Sequence, residues 1–129
     1  MMEFFLVLML KHFIVDLGVQ QYIGPSNKQQ WLGAGHTHYF HHGLATMFIA
    51  LWFAPEIAVV LGLLDYVIHW HIDWGKHHLN RLINCKPQSE LWWWTNVLDQ
   101  CLHTATYWII TMTVLSWPVA MHLVPAIYV

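Results

Sequence analysis

Four apolar stretches divide the chain, and each carries polar residues at helical spacing in one of its halves. Asp65, His69 and Asp73 follow one another at four-residue steps in the third stretch, and residues so spaced share one face of a helix. His12 and Asp16 repeat that spacing in the first. The pattern predicts an all-α protein with helices at about 3–23, 36–54, 57–75 and 91–117, and an amphipathic interfacial stretch at 76–86.

Turn-forming residues separate these four helices. A Gly-Pro pair ends the first, Pro55 stops the second, and Pro87 lies in the turn before the fourth. The apolar tail contains Pro118 and Pro125, so we expect a broken or interfacial end there and no fifth span. A length of 129 residues indicates one domain covering the whole chain.

The composition is that of an integral membrane protein. The chain is 57% hydrophobic and 9% charged and contains nine tryptophans, whereas soluble domains have about 25% charged residues. A soluble helical domain would need a larger charged surface. The net charge of −2 and the lack of a basic run exclude nucleic acid as a partner. Cys85 and Cys101 are too few for a disulfide framework, so we predict free thiols.

Basic residues predict the orientation of the four spans. Lys28 lies between the first and second helices, and Lys76, Arg81 and Lys86 lie between the third and fourth. The positive-inside rule places these two connections in the cytoplasm and both termini outside. Lys11, within the first helix, is the exception, and either snorkelling or pairing with an inward acid accounts for it.

Each residue adds about 1.5 Å along a helix, so the position of a residue in its span gives its depth in the bilayer. With this topology the polar half of every helix lies in the cytoplasmic half of the bilayer. We therefore predict one polar site. Imidazole and carboxylate without cysteine form the ligand set of zinc, iron or manganese. Zinc is the favoured ion, and nine candidates suffice for one or two ions. They are His12, Asp16, His38, His42, Asp65, His69, Asp73, Asp99 and His103, with Gln20 and Gln100 nearby.

Two other interpretations of these residues stay open. Membrane Asp and His residues often line a proton or ion pathway, and Asp–His pairs also form packing contacts between helices. The remaining histidines lie off the main stripes and near the interface, where outer or solvated positions are expected. These are His36, His41, His71, His77 and His78, and His122 in the tail is interpreted as structural.

The order of the motifs resembles a known family. The matching residues are His12-x3-Asp16-x3-Gln20, Lys28, His38-x3-His42, Asp65-x3-His69-x3-Asp73 with Lys76, and Asp99-Gln100-x2-His103. This pattern, over nearly the whole chain, resembles the domain of unknown function 3307 family of small bacterial and phage integral membrane proteins. The resemblance implies a location in a bacterial inner membrane, and the family lacks an assigned reaction. Its polar residues are similar to those of membrane-bound metal-dependent hydrolase-like proteins, and the extra histidines depart from its pattern.

The first hypothesis for function is a metal-dependent membrane hydrolase acting on a lipid-like or membrane-embedded substrate. His12, Asp16, His69 and Asp73 are the preferred ligands, and Asp73 or Asp99 is the candidate general base. The alternative is a non-enzymatic membrane subunit with a structural metal, an ion pathway or a holin-like assembly. Such a subunit belongs to a homo-oligomer or a larger membrane complex. A third hypothesis, a di-iron membrane oxygenase, depends on the spacing His38-x2-His41-His42, which is similar to a desaturase histidine box.

Overall fold

The computed structural model describes residues 2–19 and 30–123, and their side chains at 2–18 and 30–117. These residues form four helices and no strand, which confirms the all-α prediction for this part of the chain. The elements are α1 (Met2–Phe13), a π-helical segment that continues it (Ile14–Val19), α2 (Gly35–Phe53), a 3-10 turn (Pro55–Ile57), α3 (Ala58–Leu82) and α4 (Glu90–Leu123).

Several predicted features lie outside the described residues. They are the end of the first helix at 23, the Gly-Pro turn, Gln20, Lys28, and the side chain of His122 with the last six residues. The fourth helix continues to Leu123, past its predicted end at 117, so Pro118 lies inside a helix. A proline there removes one backbone donor from the helix.

The third helix also extends beyond its predicted end. The sequence predicts a helix at about 57–75 that continues into an amphipathic interfacial stretch at 76–86, and in the structure α3 itself runs to Leu82. The stop comes from Asn84, whose φ of 49° is left-handed. The Cys85 amide donates to the Asn80 carbonyl at 2.8 Å and the Asn84 amide donates to the Arg81 carbonyl at 3.2 Å. These two bonds form a Schellman motif, which satisfies the last carbonyls of the helix.

The helices α2 and α3 form a hairpin whose backbones meet at two glycines. A Cβ atom built on Gly43 would lie 2.6 Å from the carbonyl oxygen of Gly62 and 2.8 Å from Cβ of Tyr66. A Cβ atom on Gly62 would lie 2.7 Å from the carbonyl oxygen of Gly43. Only glycine permits this approach. The close packing brings the polar faces of the two helices together.

The interior has two levels. Near the Pro55 turn it is apolar and includes Phe4, Leu8, Leu61 and Ile110, all at most 1% exposed. At the other end of the bundle it contains the buried aspartate and histidine side chains. The start of α1 and residues 107–114 of α4 contribute to the apolar level, and the adjacent turns of the same helices, at 11–12 and 99–103, contribute to the polar level.

The outer surface is apolar. Trp52 is 87% exposed, and Leu17, Phe48, Val60 and Leu63 are each at least 60% exposed. One of the described helices, the stretch Pro55–Leu82, is long and apolar enough to cross a membrane by length and composition. In the described part of the chain, one lysine and three aspartates are thus buried while many large apolar side chains are exposed.

Substitution of the contacting glycines tests this packing. We expect Gly43→Ala or Gly62→Ala to lower the free energy of unfolding by about 1–3 kcal/mol, because backbone atoms occupy the space of the new methyl group. Gly75 is the control, since nothing lies within 4 Å of its Cβ position. Gly75→Ala should be neutral or stabilising by up to about 1 kcal/mol. Thermal unfolding followed by circular dichroism measures both, and equal effects at the three positions would contradict the close approach.

Candidate metal centre

All nine predicted site residues face the polar level of the interior. Eight of them are at most 4% exposed, and the Asp16 side chain is 21% exposed. Every helix contributes: α1 and its π-helical continuation give His12 and Asp16, and α2 gives His38 and His42. The remaining five come from α3 and α4, which supply Asp65, His69, Asp73, Asp99 and His103. The four-residue spacing predicted from the sequence therefore brings side chains from four helices together.

Three overlapping groups have donor atoms close enough to hold a metal ion. Within each group the donor atoms lie within 4.8 Å of one another. His69 and Asp73 each belong to two groups, so the three form one continuous centre. The groups are His12, Asp16, His42 and His69; His38, His69 and Asp73; and Asp73, Asp99 and His103.

Asp16 is surrounded by imidazole nitrogens. Nε2 of His38 and Nε2 of His42 each lie 3.1 Å from Oδ1 of the carboxylate. Nε2 of His12 lies 3.3 Å from Oδ2. The chain widens into its π-helical segment at this residue, and such local widening is frequent at functional sites. The Asp16 carboxylate thus contacts three imidazoles, two of which, His12 and His42, share its metal-binding group.

The second half of the centre is built around Asp73. His103 Nε2 lies 3.4 Å from Asp73 Oδ1, and the Nε2 atoms of His38 and His69 each lie 3.7 Å from Oδ2. His103 Nε2 also lies 3.6 Å from Asp99 Oδ1. The rings of His69 and His103 are 4.1 Å apart at their centroids, so the two halves of the centre are in contact.

The donor separations fit metal coordination. Neighbouring ligand atoms held about 2.0–2.2 Å from one ion lie roughly 2.8–3.1 Å apart in octahedral geometry and roughly 3.3–3.6 Å apart in tetrahedral geometry. The measured separations of 3.1–3.7 Å are close to these ranges. Neither ring nitrogen of His69 has a hydrogen-bond partner within the described ranges, and both are buried. A buried polar atom without a partner is costly, and coordination to an ion would satisfy one of them.

Further polar groups hold the candidate ligands from outside. Nδ1 of His12 and the Tyr107 hydroxyl are joined by a hydrogen bond of 3.1 Å. Gln100 Nε2 donates to Asp99 Oδ2 at 3.2 Å, and Lys76 Nζ donates to the same oxygen at 3.0 Å. Metal sites commonly contain such outer partners, which fix the orientation of the ligating imidazole or carboxylate.

Lys11 pairs with an inward acid, which decides between the two alternatives for this residue. Its Nζ atom lies 2.7 Å from Asp65 Oδ2 and donates to the Tyr107 hydroxyl at 3.0 Å. The Thr46 hydroxyl donates to Asp65 Oδ2 at 2.6 Å. Asp65 belongs to none of the three metal-binding groups found among the described residues. It forms an ion pair with Lys11 next to the candidate ligands.

Tyr107 and Thr46 are site residues that the sequence prediction missed, although the sequence carries a signal for both. Tyr107 is one four-residue step beyond His103, and Thr46 is one step beyond His42. Each continues a polar stripe past its last charged or imidazole residue, where the predicted site ends. Their hydroxyl groups lie at the boundary between the polar and apolar levels.

The five additional histidines lie outside the three metal-binding groups. His36 forms a 2.6 Å hydrogen bond with the Tyr66 hydroxyl, and His71 is hydrogen-bonded to the carbonyl of the residue four positions before it. His78 stacks on Trp74. His41 and His77 are the other two of these five histidines. Both Cys85 and Cys101 are free thiols, as predicted.

Comparisons of this chain with protein-family models, with curated proteins and with solved structures find no match. The resemblance to the domain of unknown function 3307 family therefore stays a prediction based on the quoted motifs. Any function assigned to the chain depends on the geometry of the centre.

Removal of Lys11 tests the buried ion pair. We expect Lys11→Met to lower the free energy of unfolding by about 3–5 kcal/mol, because the Asp65 carboxylate is then buried without its cation. The double variant Lys11→Met, Asp65→Leu should recover much of this loss, since it removes both charges. Lys86→Met, at an exposed position, is the control and should change stability by less than about 0.5 kcal/mol. A double variant no more stable than the single one would contradict the pairing.

Proposed function

We propose that this chain is an integral membrane protein whose four helices enclose a centre for one or two divalent transition-metal ions. The observation that carries the proposal is the convergence of five imidazoles and three carboxylates from all four helices, with the donor atoms of each group within 4.8 Å and His–Asp separations of 3.1–3.7 Å. Zinc is the first candidate ion and iron or manganese the alternatives, since imidazole and carboxylate suit all three.

The outer surface supports the membrane part of the proposal. Contiguous apolar patches on soluble monomers rarely exceed a few hundred Å², whereas large exposed apolar side chains occur along all four helices here. Four spans with both termini outside follow from the positive-inside rule and belong to this proposal.

We further propose that the centre hydrolyses a lipid-like substrate. A bound ion makes a coordinated water more acidic and polarises the scissile group. Asp99 is positioned to accept a proton through Oδ1, because Lys76 and Gln100 hold its Oδ2 atom and keep the carboxylate ionised. Its Oδ1 atom is buried and has no hydrogen-bond partner in the described part of the chain. Asp73, 3.4 Å from His103, serves as a ligand or as a second base.

A structural metal is the second candidate function, and the burial of the centre favours it. His42 is fully buried, and His12, His69 and His103 are at most 2% exposed. Structural sites have closed ligand shells, whereas catalytic sites keep one position open for water or substrate. The 21% exposure of Asp16 marks the most accessible part of the candidate ligand set.

Metal content tests the centre itself. We expect the purified protein to contain one or two equivalents of a transition metal, and His69→Ala to weaken metal binding at least roughly tenfold, because His69 belongs to two of the groups. His71→Ala is the matched control, since this exposed histidine is on the same helix and outside the groups. Elemental analysis by mass spectrometry measures both. Less than about a tenth of an equivalent in the wild type would contradict the proposal.

Product formation separates hydrolysis from a structural role. The metal-loaded protein in liposomes of bacterial lipid extract should release hydrolysis products detectable by mass spectrometry, and a chelator should stop the release. We expect Asp99→Asn to lower the rate at least roughly 100-fold, because the amide cannot accept the proton. Unchanged metal content and helicity in this variant would show that the centre remains assembled. Absence of metal-dependent products, with unfolding on chelation, would instead identify a structural metal.

A further inference from the structure

A basic pocket lies where α3 ends and α4 begins. It has a volume of about 430 Å³ and is lined by Lys76, His78, Asn80, Arg81 and other residues up to Trp92 and Asn96 on α4. Two of its lining residues, Lys76 and Arg81, are basic, and no acidic residue occurs between 74 and 89. Guanidinium and ammonium groups in one pocket are suited to a phosphate group.

An apolar groove on the outer face of α4 begins beside this pocket. It has a volume of about 710 Å³ and extends from Trp93 and Asn96 to Phe5 and Trp108. Asn96 lines both the groove and the basic pocket. Twelve residues of helix from Asn96 to Trp108 measure about 18 Å, close to one leaflet's share of a hydrocarbon core about 30 Å thick.

The two cavities meet at Asn96, so a basic pocket adjoins an apolar groove. A phospholipid has the same order, with a charged headgroup next to an apolar acyl chain. We propose that an anionic phospholipid binds here, with its phosphate in the basic pocket and one acyl chain in the α4 groove. Charge complementarity selects the headgroup, and the groove's position on the apolar surface selects a lipid over a soluble phosphate. The inference rests on the membrane placement proposed above and names the class of lipid that the metal centre meets.

Two residues connect the bound lipid to the metal centre. Lys76 lines the basic pocket and donates to Asp99 Oδ2 at 3.0 Å; an ammonium group has three donors, so others remain for a phosphate. Gln100 lines the α4 groove, and its Oε1 atom lies 3.3 Å from His12 Nε2. The headgroup thus lies next to Asp99, and the part of the acyl chain nearest the headgroup lies next to Gln100 and His12.

Lipid titration tests the inference on the full-length protein in detergent, with native mass spectrometry as the readout. Dioleoyl phosphatidylglycerol and dioleoyl phosphatidylcholine have the same chains and differ in net charge. We expect the anionic lipid to bind at least about fivefold more tightly, as expected for the attraction of one basic side chain. Millimolar glycerol 3-phosphate should not displace it. Equal affinities, or displacement by the soluble phosphate, would overturn the proposal.

Variants locate the site. Arg81→Gln should lower the affinity for phosphatidylglycerol to that for phosphatidylcholine, while Lys86→Gln, outside the pocket lining, should leave it unchanged. Ala105→Phe fills the groove and should weaken the binding of both lipids. Val60→Phe, at an exposed position on α3, is its control. Circular dichroism confirms that each variant is folded, and folded Arg81 and Ala105 variants with wild-type lipid binding would overturn the proposed location.

The same titration on chelated protein separates this inference from the proposed metal centre. A lipid preference that survives chelation supports lipid binding independently of the metal, and the metal proposal is contradicted only where the protein also holds no metal as purified. Full metal occupancy without a preference for the anionic lipid supports the metal proposal and overturns this one.

Discussion

A charge buried between helices must be matched by a partner, and that requirement determines how these four helices meet. Two lysine–aspartate pairs flank the centre. Lys11 and Asp65 join α1 to α3 at the boundary with the apolar level, and Lys76 and Asp99 join α3 to α4 at the opposite side. Between the pairs lie the imidazoles, which face the carboxylates of Asp16 and Asp73. The fixed cations thus compensate two acids, and the nitrogen-rich centre that remains is suited to a divalent ion.

The sequence predicts most of this centre because its signal is periodic. Residues at four-residue steps on a helix share one face in any helical packing, so His38 with His42, and Asp65 with His69 and Asp73, are placed correctly on their helices. The shared level of the four motifs follows from their positions within each apolar stretch.

Other features depend on contacts between helices, which the residue spacing within one helix does not predict. Which acid pairs with Lys11 is decided across helices, by the distance to α3, and spacing along α1 carries no information about it. The π-helical segment at Asp16 is a local departure from the regular helical period on which the sequence prediction depends. The third helix is predicted to end at about 75, but Gly75 lies within α3. The helix ends at the Schellman motif formed at Asn84.

In the proposed membrane setting, the polar interior also determines the rotation of each helix. Lipid tails are as apolar as leucine, so turning a helix about its axis gains little from its apolar side chains. Rotation of α1 would, however, expose Lys11 and His12 to lipid and separate the ammonium group from Asp65. The close contact of Gly43 with Gly62 restricts α2 and α3 in the same way. A chain of this length with so few charged residues can therefore specify one arrangement, because nearly all of its buried charges lie on the faces where the helices touch.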